Sequence, residues 1–423
     1  MVQELAVINT MNTIKKHLPN IKNLGLYFMS SIIVAMVGIL LNPIFAMNLS
    51  HEDYAIMGYY SSFNLLLMPL LNFSLYSFYS RHYYFTPEEQ QDNLGNTILL
   101  SSMLIGAVSL FVFVGVFYLL HNSTQNNFPF FPYAILTFVQ VYIGNVTSFY
   151  LIRLKITRQA KKYAWFSIIQ CILTAAFSLL FVVYYKYGAT GKLLGTLIAT
   201  IIASTYAIFY SITEFKIDKV IFKKALKFCT PLVISAIFWY FLTGIDRVFL
   251  ERLNDTHSLG LYSIGLQMAG YLTIFYTTIS STFEPDIYQS IAQKRKKKLI
   301  GTIGIIVGFT AIVNIIFIIL APQIIGLLTA NRYIESAPFA QILAVHNIIM
   351  ACYYMVVKLL IGYGFVKQEL FVRVSGALLS IVMFYYMIDR YQFIGAAWGQ
   401  TLSFSILSIL GLVVFYIYKK RDR

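Results

Sequence analysis

Runs of about twenty apolar residues recur from one end of this chain to the other, and that spacing leaves very few folds open. A bilayer core roughly 30 Å thick is crossed by about 20 helical residues. Such runs lie at 22–41, 56–79, 97–120, 129–151, 163–185 and 192–212, and again at 228–250, 259–282, 299–321, 335–361, 366–388 and 394–418. In hydrocarbon a backbone has to satisfy its own hydrogen bonds, so each run is expected to be helical. Apolar residues make up 58% of the 423 and charged residues 12%, about half the charged share of soluble domains. The expectation is an all-α membrane protein of about 12 transmembrane helices. No connection is long enough for a separate soluble domain.

The basic residues test that count. With the N-terminus inside and every run crossing, 25 of the 32 Lys and Arg fall on one side and five on the other; Arg247 and Lys358 lie within runs. The inside set includes Lys15, Lys16 and Lys22, the clusters at 153–162 and 216–227, the KRKKK run at 294–298, and the C-terminal Lys419, Lys420, Arg421 and Arg423. The outside set is Lys186, Lys192, Arg252, Arg332 and Arg390. Cytoplasmic loops carry such an excess, so both termini are expected in the cytoplasm. Orientation thereby absorbs the net charge of +15, and no nucleic-acid partner is expected. The first run, Leu24 to Leu41, is too long for a signal-peptide core and reads as an uncleaved span. Cys171, Cys229 and Cys352 lack CxxC spacing, and the six histidines show no metal-ligand pattern. Free thiols are expected, with no disulfide, no metal and no cofactor. Of five Asn-x-Ser/Thr matches, those at Asn72 and Asn145 lie inside runs; Asn48, Asn122 and Asn254 fall outside, and an Asn-rich composition accounts for them.

The two groups of six runs repeat one another. Residues 187–195, YGATGKLLG, and 391–399, YQFIGAAWG, share the pattern Y-x3-G-x3-G at an offset of 204. Residues 58–61, GYYS, and 260–263, GLYS, match at an offset of 202. Two matches at nearly one offset point to duplication. A repeat of six crossings keeps both copies in the same orientation, so the lobes are related by an axis along the membrane normal. The expected organisation is a lobe at 1–212, a basic cytoplasmic link at 213–227 and a second lobe at 228–423, around a central cavity. Gly191, Gly195, Gly395 and Gly399 read as helix-packing positions. No Walker motif or GxGxxG occurs.

Ionisable residues inside spans are costly and mark function. Asp246 and Arg247 adjoin in the seventh run, about 100° apart on a helix and so not expected to pair directly; Glu251 is one turn from Arg247 and within pairing reach of it. Lys358 lies near the inner end of the tenth run. Arg81 and Arg153 end the second and fourth. Arg81, Arg153, Arg247 and Lys358 together are the candidates to line a cavity for an anionic headgroup, since the Arg fork matches phosphate. Asp246, Glu284 and Asp286 are the candidates for ion coupling, although Pro285 between the last two reads foremost as a helix end. Pro69 is expected to kink the second span. His346 faces either core or cavity.

The stretches PLVISAIFWYFLTGIDRVFLERLNDTHSLGLYSIG, EPDIYQ, SAPFAQILAVHNII and FIGAAWGQTLSF, with GYYSSFNLLLMPLLNFSLYSFYSR in the first half, resemble bacterial O-antigen and polysaccharide flippases. These belong to the multidrug/oligosaccharidyl-lipid/polysaccharide exporter superfamily. The resemblance implies two six-helix lobes in the bacterial inner membrane that open alternately to each side. It implies a cargo of undecaprenyl-diphosphate-linked oligosaccharide, an O-antigen or capsular repeat unit, moved from the cytoplasmic to the periplasmic leaflet. Polysaccharide-assembly proteins are the further partners it implies. Related lipid II flippases carry basic residues on the first span; residues 24–41 here have none, a departure that weighs against a peptidoglycan precursor. The alternative within the superfamily is a cation-coupled drug exporter, which favours acidic cavity residues. The alternative from another class is a membrane polymerase or glycosyltransferase, which needs outward acid, base or metal groups. Beyond Glu52 and Asp53, the outer connections offer no paired carboxylates.

Overall fold

The computed structural model describes the backbone of residues 2–123 and 127–421, with side chains from residue 25 onward. Lys15, Lys16, Lys22 and Arg423 therefore lie outside the described side chains. The regular secondary structure of the described residues is helical, joined by short irregular connections. Fourteen α-helices follow in order: α1 (Val2–Asn48), α2 (His51–Ser62), α3 (Asn64–Asn72), α4 (Leu75–His82), α5 (Glu88–Ser123), α6 (Tyr133–Ile156), α7 (Ala160–Leu179), α8 (Gly188–Ser211), α9 (Lys219–Thr243), α10 (Asp246–Glu251), α11 (Thr256–Ala292), α12 (Lys296–Leu328), α13 (Ala337–Gly362) and α14 (Val366–Arg421). Nine helical segments among the described residues are long and apolar enough to cross a bilayer. This is a multi-pass membrane protein. One end of the bundle, the basic end, carries residues 294–298 and 419–421.

The differences from the twelve expected runs have local causes. The run at 56–79 is broken into three short helices, beyond the single kink expected at Pro69. The second break sits at Phe73 and Ser74, both left-handed (φ 48° and 53°), with the Asn72 Oδ1 accepting from the Ser74 N–H at 2.7 Å. The run at 228–250 divides at Gly244 into α9 and α10. Helix α11 does not end at Pro285 but continues to Ala292. Helix α14 has 56 residues, about 84 Å if straight. The non-helical Gln392 (φ 51°, ψ −129°) divides it between the two expected runs. Within the segment 213–227, Asp218 caps α9, accepting from the Val220 N–H at 2.8 Å, so that helix begins at Lys219.

The small-residue repeat packs as expected in both halves. A Cβ on Gly195 would meet the Ser178 backbone nitrogen at 2.6 Å, and one on Gly395 would collide with the Met387 carbonyl. Each motif thus presses the last span of its half onto the span before it.

The other repeat, GYYS and GLYS, joins the halves. Gly58 on α2 packs directly on Ser263 of α11, and Gly260 on α11 directly on the His51 carbonyl. This contact lies at the end opposite the basic end. The His51 and His257 rings stack there 4.0 Å apart, and His51 meets the Tyr333 ring edge-on at 4.7 Å. The Tyr333 hydroxyl donates to the Leu49 carbonyl. Arg332 donates to the Met47 carbonyl at 2.7 Å. Toward the basic end, α9 stays against α4, with the Cys229 thiol 3.3 Å from the Ser74 carbonyl. On the other side α1 and α11 part, leaving a groove.

Candidate functional site

Two chambers adjoin at the centre. One of about 570 Å³ lies among α1, α7, α8 and α11. The other, of about 370 Å³, lies among α2, α6, α8, α10 and α11. Lys192, Thr196 and Gln267 line both. Lys192 and Arg247 carry the charge among the described lining residues; the other polar ones are neutral. Lys192 holds its ammonium 4.4 Å from the centre of the Phe45 ring, a cation–π contact. Arg247 donates from Nη1 to the Gly58 carbonyl at 3.1 Å, bridging the halves.

Behind Arg247 sits Asp246, fully buried. One oxygen accepts from the Tyr262 hydroxyl at 2.6 Å and from the Gln400 amide at 3.0 Å. The other lies 3.7 Å from the Arg247 Nε. The two neighbours do make an ionic contact, contrary to the helical-wheel argument, because α10 begins at Asp246 after the break at Gly244. Glu251 does not take Arg247. It accepts instead from the Asn127 N–H at 2.7 Å.

A third space, of about 630 Å³, is the groove between α1, α11 and α12, walled by Phe28, Met36, Phe275, Phe309 and other apolar groups. Tyr271 lines both this groove and the first chamber. Gln267 donates to the Tyr271 hydroxyl at 2.8 Å and to the Asn42 Oδ1 at 2.9 Å. Asn42 in turn donates to the Leu328 carbonyl at 2.7 Å. A polar bridge thus marks the boundary between a chamber with polar lining groups and an apolar slot.

Of the four basic candidates, only Arg247 lines these chambers. Arg81 is exposed, with its guanidinium 5.2 Å from the Phe228 ring centre. Arg153 donates to the Ser211 carbonyl and to Asp92, both at 2.7 Å. Lys358 donates to Ser280 and Glu284, both at 2.9 Å. Asp286 pairs with Lys298 at 2.7 Å. The physical reason is depth: these residues end their helices at the basic end, where each finds a nearer partner. His346 is core, edge-on to Phe404 at 4.8 Å. Lys192 escapes the sequence pattern, which places it in an outer connection. Helix α8 begins at Gly188, so Lys192 is already inside it. The repeat carried the signal: at the offset of 204, the counterpart of Lys192 is Ala396.

The sequence model of the polysaccharide biosynthesis protein family matches residues 21–290, and that of the MatE family matches residues 231–386. Lsg locus putative protein 1 of Haemophilus influenzae is 25% identical over 286 residues, 65% of this chain and 67% of that protein. Among solved structures, lipid II flippase MurJ in an inward closed conformation superposes with a TM-score of 0.69 at 16% identity, covering 93% of this chain and 87% of the other. An inward-facing multidrug resistance MATE family transporter of the MOP superfamily superposes at 0.67 and 13% identity, covering 91% and 94%.

Proposed function

We infer that this chain, which belongs to the polysaccharide biosynthesis protein family, carries an undecaprenyl-diphosphate-linked oligosaccharide across the bacterial inner membrane. The observation that supports this reading is the junction at Tyr271, where a polar chamber holding Lys192 and Arg247 meets an apolar slot open between α1 and α11. An amphipathic cargo fits both at once. Its diphosphate is held by the two cations, its sugars lie against neutral polar walls, and its tail occupies the slot. A prenyl chain left in apolar surroundings avoids the cost of about 0.8 kcal/mol per CH₂ exposed to water.

The basic end faces the cytoplasm in this reading, as the excess of Lys and Arg requires. Cargo enters from that side, and the halves then part at the opposite end. Arg81, Arg153 and Lys358 serve at the cytoplasmic mouth, where they hold helix ends and meet the headgroup first. Asp246 is the proposed coupling carboxylate, since its ionic contact with Arg247 ties it to the residue that bridges the halves. The cationic chamber favours an anionic cargo over the cationic drugs of the exporter alternative. Asp53 serves as a helix cap, accepting from the Ser50 and Ala189 N–H groups at 2.8 and 2.6 Å, which takes it out of the carboxylate pair a polymerase would use.

Deletion of the gene tests the reading. Loss of long-chain surface glycan, with single lipid-linked units accumulating on the cytoplasmic face, is the expected result. Units accumulating on the periplasmic face would point to a polymerase. Unchanged glycan with altered drug sensitivity would point to an exporter.

A further inference from the structure

The central chambers carry little positive charge for their size. Among the described lining residues it comes from Lys192 and Arg247 alone. Asp246, 3.7 Å behind the Arg247 Nε, offsets part of it. A diphosphate that links a lipid to a sugar carries two negative charges. It therefore neutralises all the positive charge the chambers offer.

The remaining lining asks for a different chemistry. Asn64 Oδ1, Thr137 Oγ1, Ser167 Oγ and Ser263 Oγ are buried and have no hydrogen-bond partner in the protein. All four residues line the chambers. Buried polar atoms left without partners cost free energy, and sugar hydroxyls can both donate to and accept from groups of this kind. Among the described lining residues an additional carboxylate would find no further cation. At low dielectric an unpaired charge is far more costly than an unpaired hydroxyl.

We propose that the transported glycan is uncharged: a repeat unit of neutral sugars whose only anionic group is its diphosphate. This rests on the flippase reading and narrows it. The test uses the full chain in lipid nanodiscs and two probes, a polyprenyl-diphosphate-linked neutral trisaccharide and the same molecule with one hexose replaced by a hexuronate. The neutral probe is expected to bind about tenfold or more tightly, a difference of about 1.4 kcal/mol. Gln140, which lines the second chamber, offers a place for a third cation, and Gln140→Lys should shrink the difference to about threefold or less.

Equal binding of both probes by the unaltered chain overturns the neutral-glycan proposal and leaves the flippase reading standing. A preference that Gln140→Lys does not reduce overturns its basis in charge. Failure of both probes to bind, with the protein folded by its helical spectrum, overturns both readings.

Discussion

The two ends of the bundle hold together by different means. Among the described residues, ion pairs at the basic end join residues of the same half: Arg153 with Asp92 in the first, and Lys358 with Glu284, Lys298 with Asp286, and Arg373 with Glu369 in the second. At the opposite end the bonds cross between halves, and most are aimed at backbone. Arg247 reaches the Gly58 carbonyl, Arg332 the Ala46 and Met47 carbonyls, Tyr333 the Leu49 carbonyl, and Asn127 both the side chain and the carbonyl of Glu251. The basic end can therefore widen on the α1–α11 side without breaking any of those ion pairs. The opposite end can open only by giving up bonds between the halves. A transporter that rests open on one side needs this asymmetry, because its closed side must be specific and yet reversible.

The sharpest way to break the comparison is to wedge the closed end. Gly58 and Gly260 sit in direct contact with Ser263 and the His51 carbonyl. Gly58→Leu or Gly260→Leu should prevent closure, and overpacking of this kind costs about 1–3 kcal/mol. Transport, read as restored surface glycan in a deletion strain, should fall about tenfold or more. A Cβ on Gly304 of α12 would enter open space, so Gly304→Ala should leave transport unchanged. Similar losses at both positions would show that helix integrity, and not closure, is what was measured.

The central bridge comes next. Arg247→Gln removes the donor to Gly58 and one of the two chamber cations together. Hydrogen bonds to charged groups contribute about 1.5–3 kcal/mol, so glycan export should fall about tenfold. Lys192→Gln removes a chamber cation and its contact with the Phe45 ring of the same half, and no bond between the halves. It should therefore weaken binding of the neutral diphosphate probe without changing the spacing of the closed end. If Lys192→Gln parts the halves as Arg247→Gln does, the division of labour between these residues is wrong.

What the sequence made legible follows the same division. Long apolar runs, the charge asymmetry and the small-residue repeat depend on composition and spacing, so an all-helical membrane bundle and its packing glycines were foreseeable, while nine long apolar segments stand among the described residues where twelve runs were expected. The breaks at Phe73–Ser74 and Gly244 were not, because left-handed or interrupted backbone is decided by tertiary contacts. Nor could depth be read accurately. Arg81, Arg153 and Lys358 resembled Arg247 in kind, and only the fold separates those that end helices from the one that faces the chamber. Lys192 went unseen because a boundary error of a few residues moves a charge from a loop to a cavity wall. The facing of GYYS on GLYS was implicit in the duplication, since an axis between lobes brings equivalent segments together.

Acidity should loosen the closed end more gently. Burial, then the neighbouring His257 ring, then Arg332 hold His51 below its ordinary value of 6.5, with Glu335 pulling the other way. Tyr333 meets His51 edge-on and is met in turn by Tyr54, and Asp53, two residues along α2, is engaged by Ser50 and Ala189. A lowered pKa means that the closed form takes up a proton less readily than a parted form. The closed end is thus at full strength above about pH 6.5 and weakens as pH falls through that value toward the lower one. Spin labels at Asn122→Cys and Leu327→Cys, in a chain whose native cysteines are replaced by Ser, report the distance between the halves. A longer distance at pH 5.5 than at pH 8, abolished by His51→Asn with His257→Asn, is the expected result. A distance unaffected by pH would remove the histidine pair from the closing mechanism.

The smallest effect should come from the basic end itself. Lys298 and Asp286 are paired at 2.7 Å, but their side chains are 44% and 38% exposed. Solvent and salt screen such a pair, and exposed pairs contribute roughly 0–1 kcal/mol. Both partners also belong to the second half, so breaking the pair changes nothing between the halves. Asp286→Asn should shift thermal unfolding by no more than about 2 °C in a chain of this size. Glycan export should stay within about twofold of the unaltered chain, because no bond at the closed end is touched. A large loss of export at unchanged stability would show that Asp286 belongs to the coupling machinery after all. The basic end would then do more than hold its own half together, and the asymmetry between the two ends would have to be drawn again with Asp286 among the groups that move.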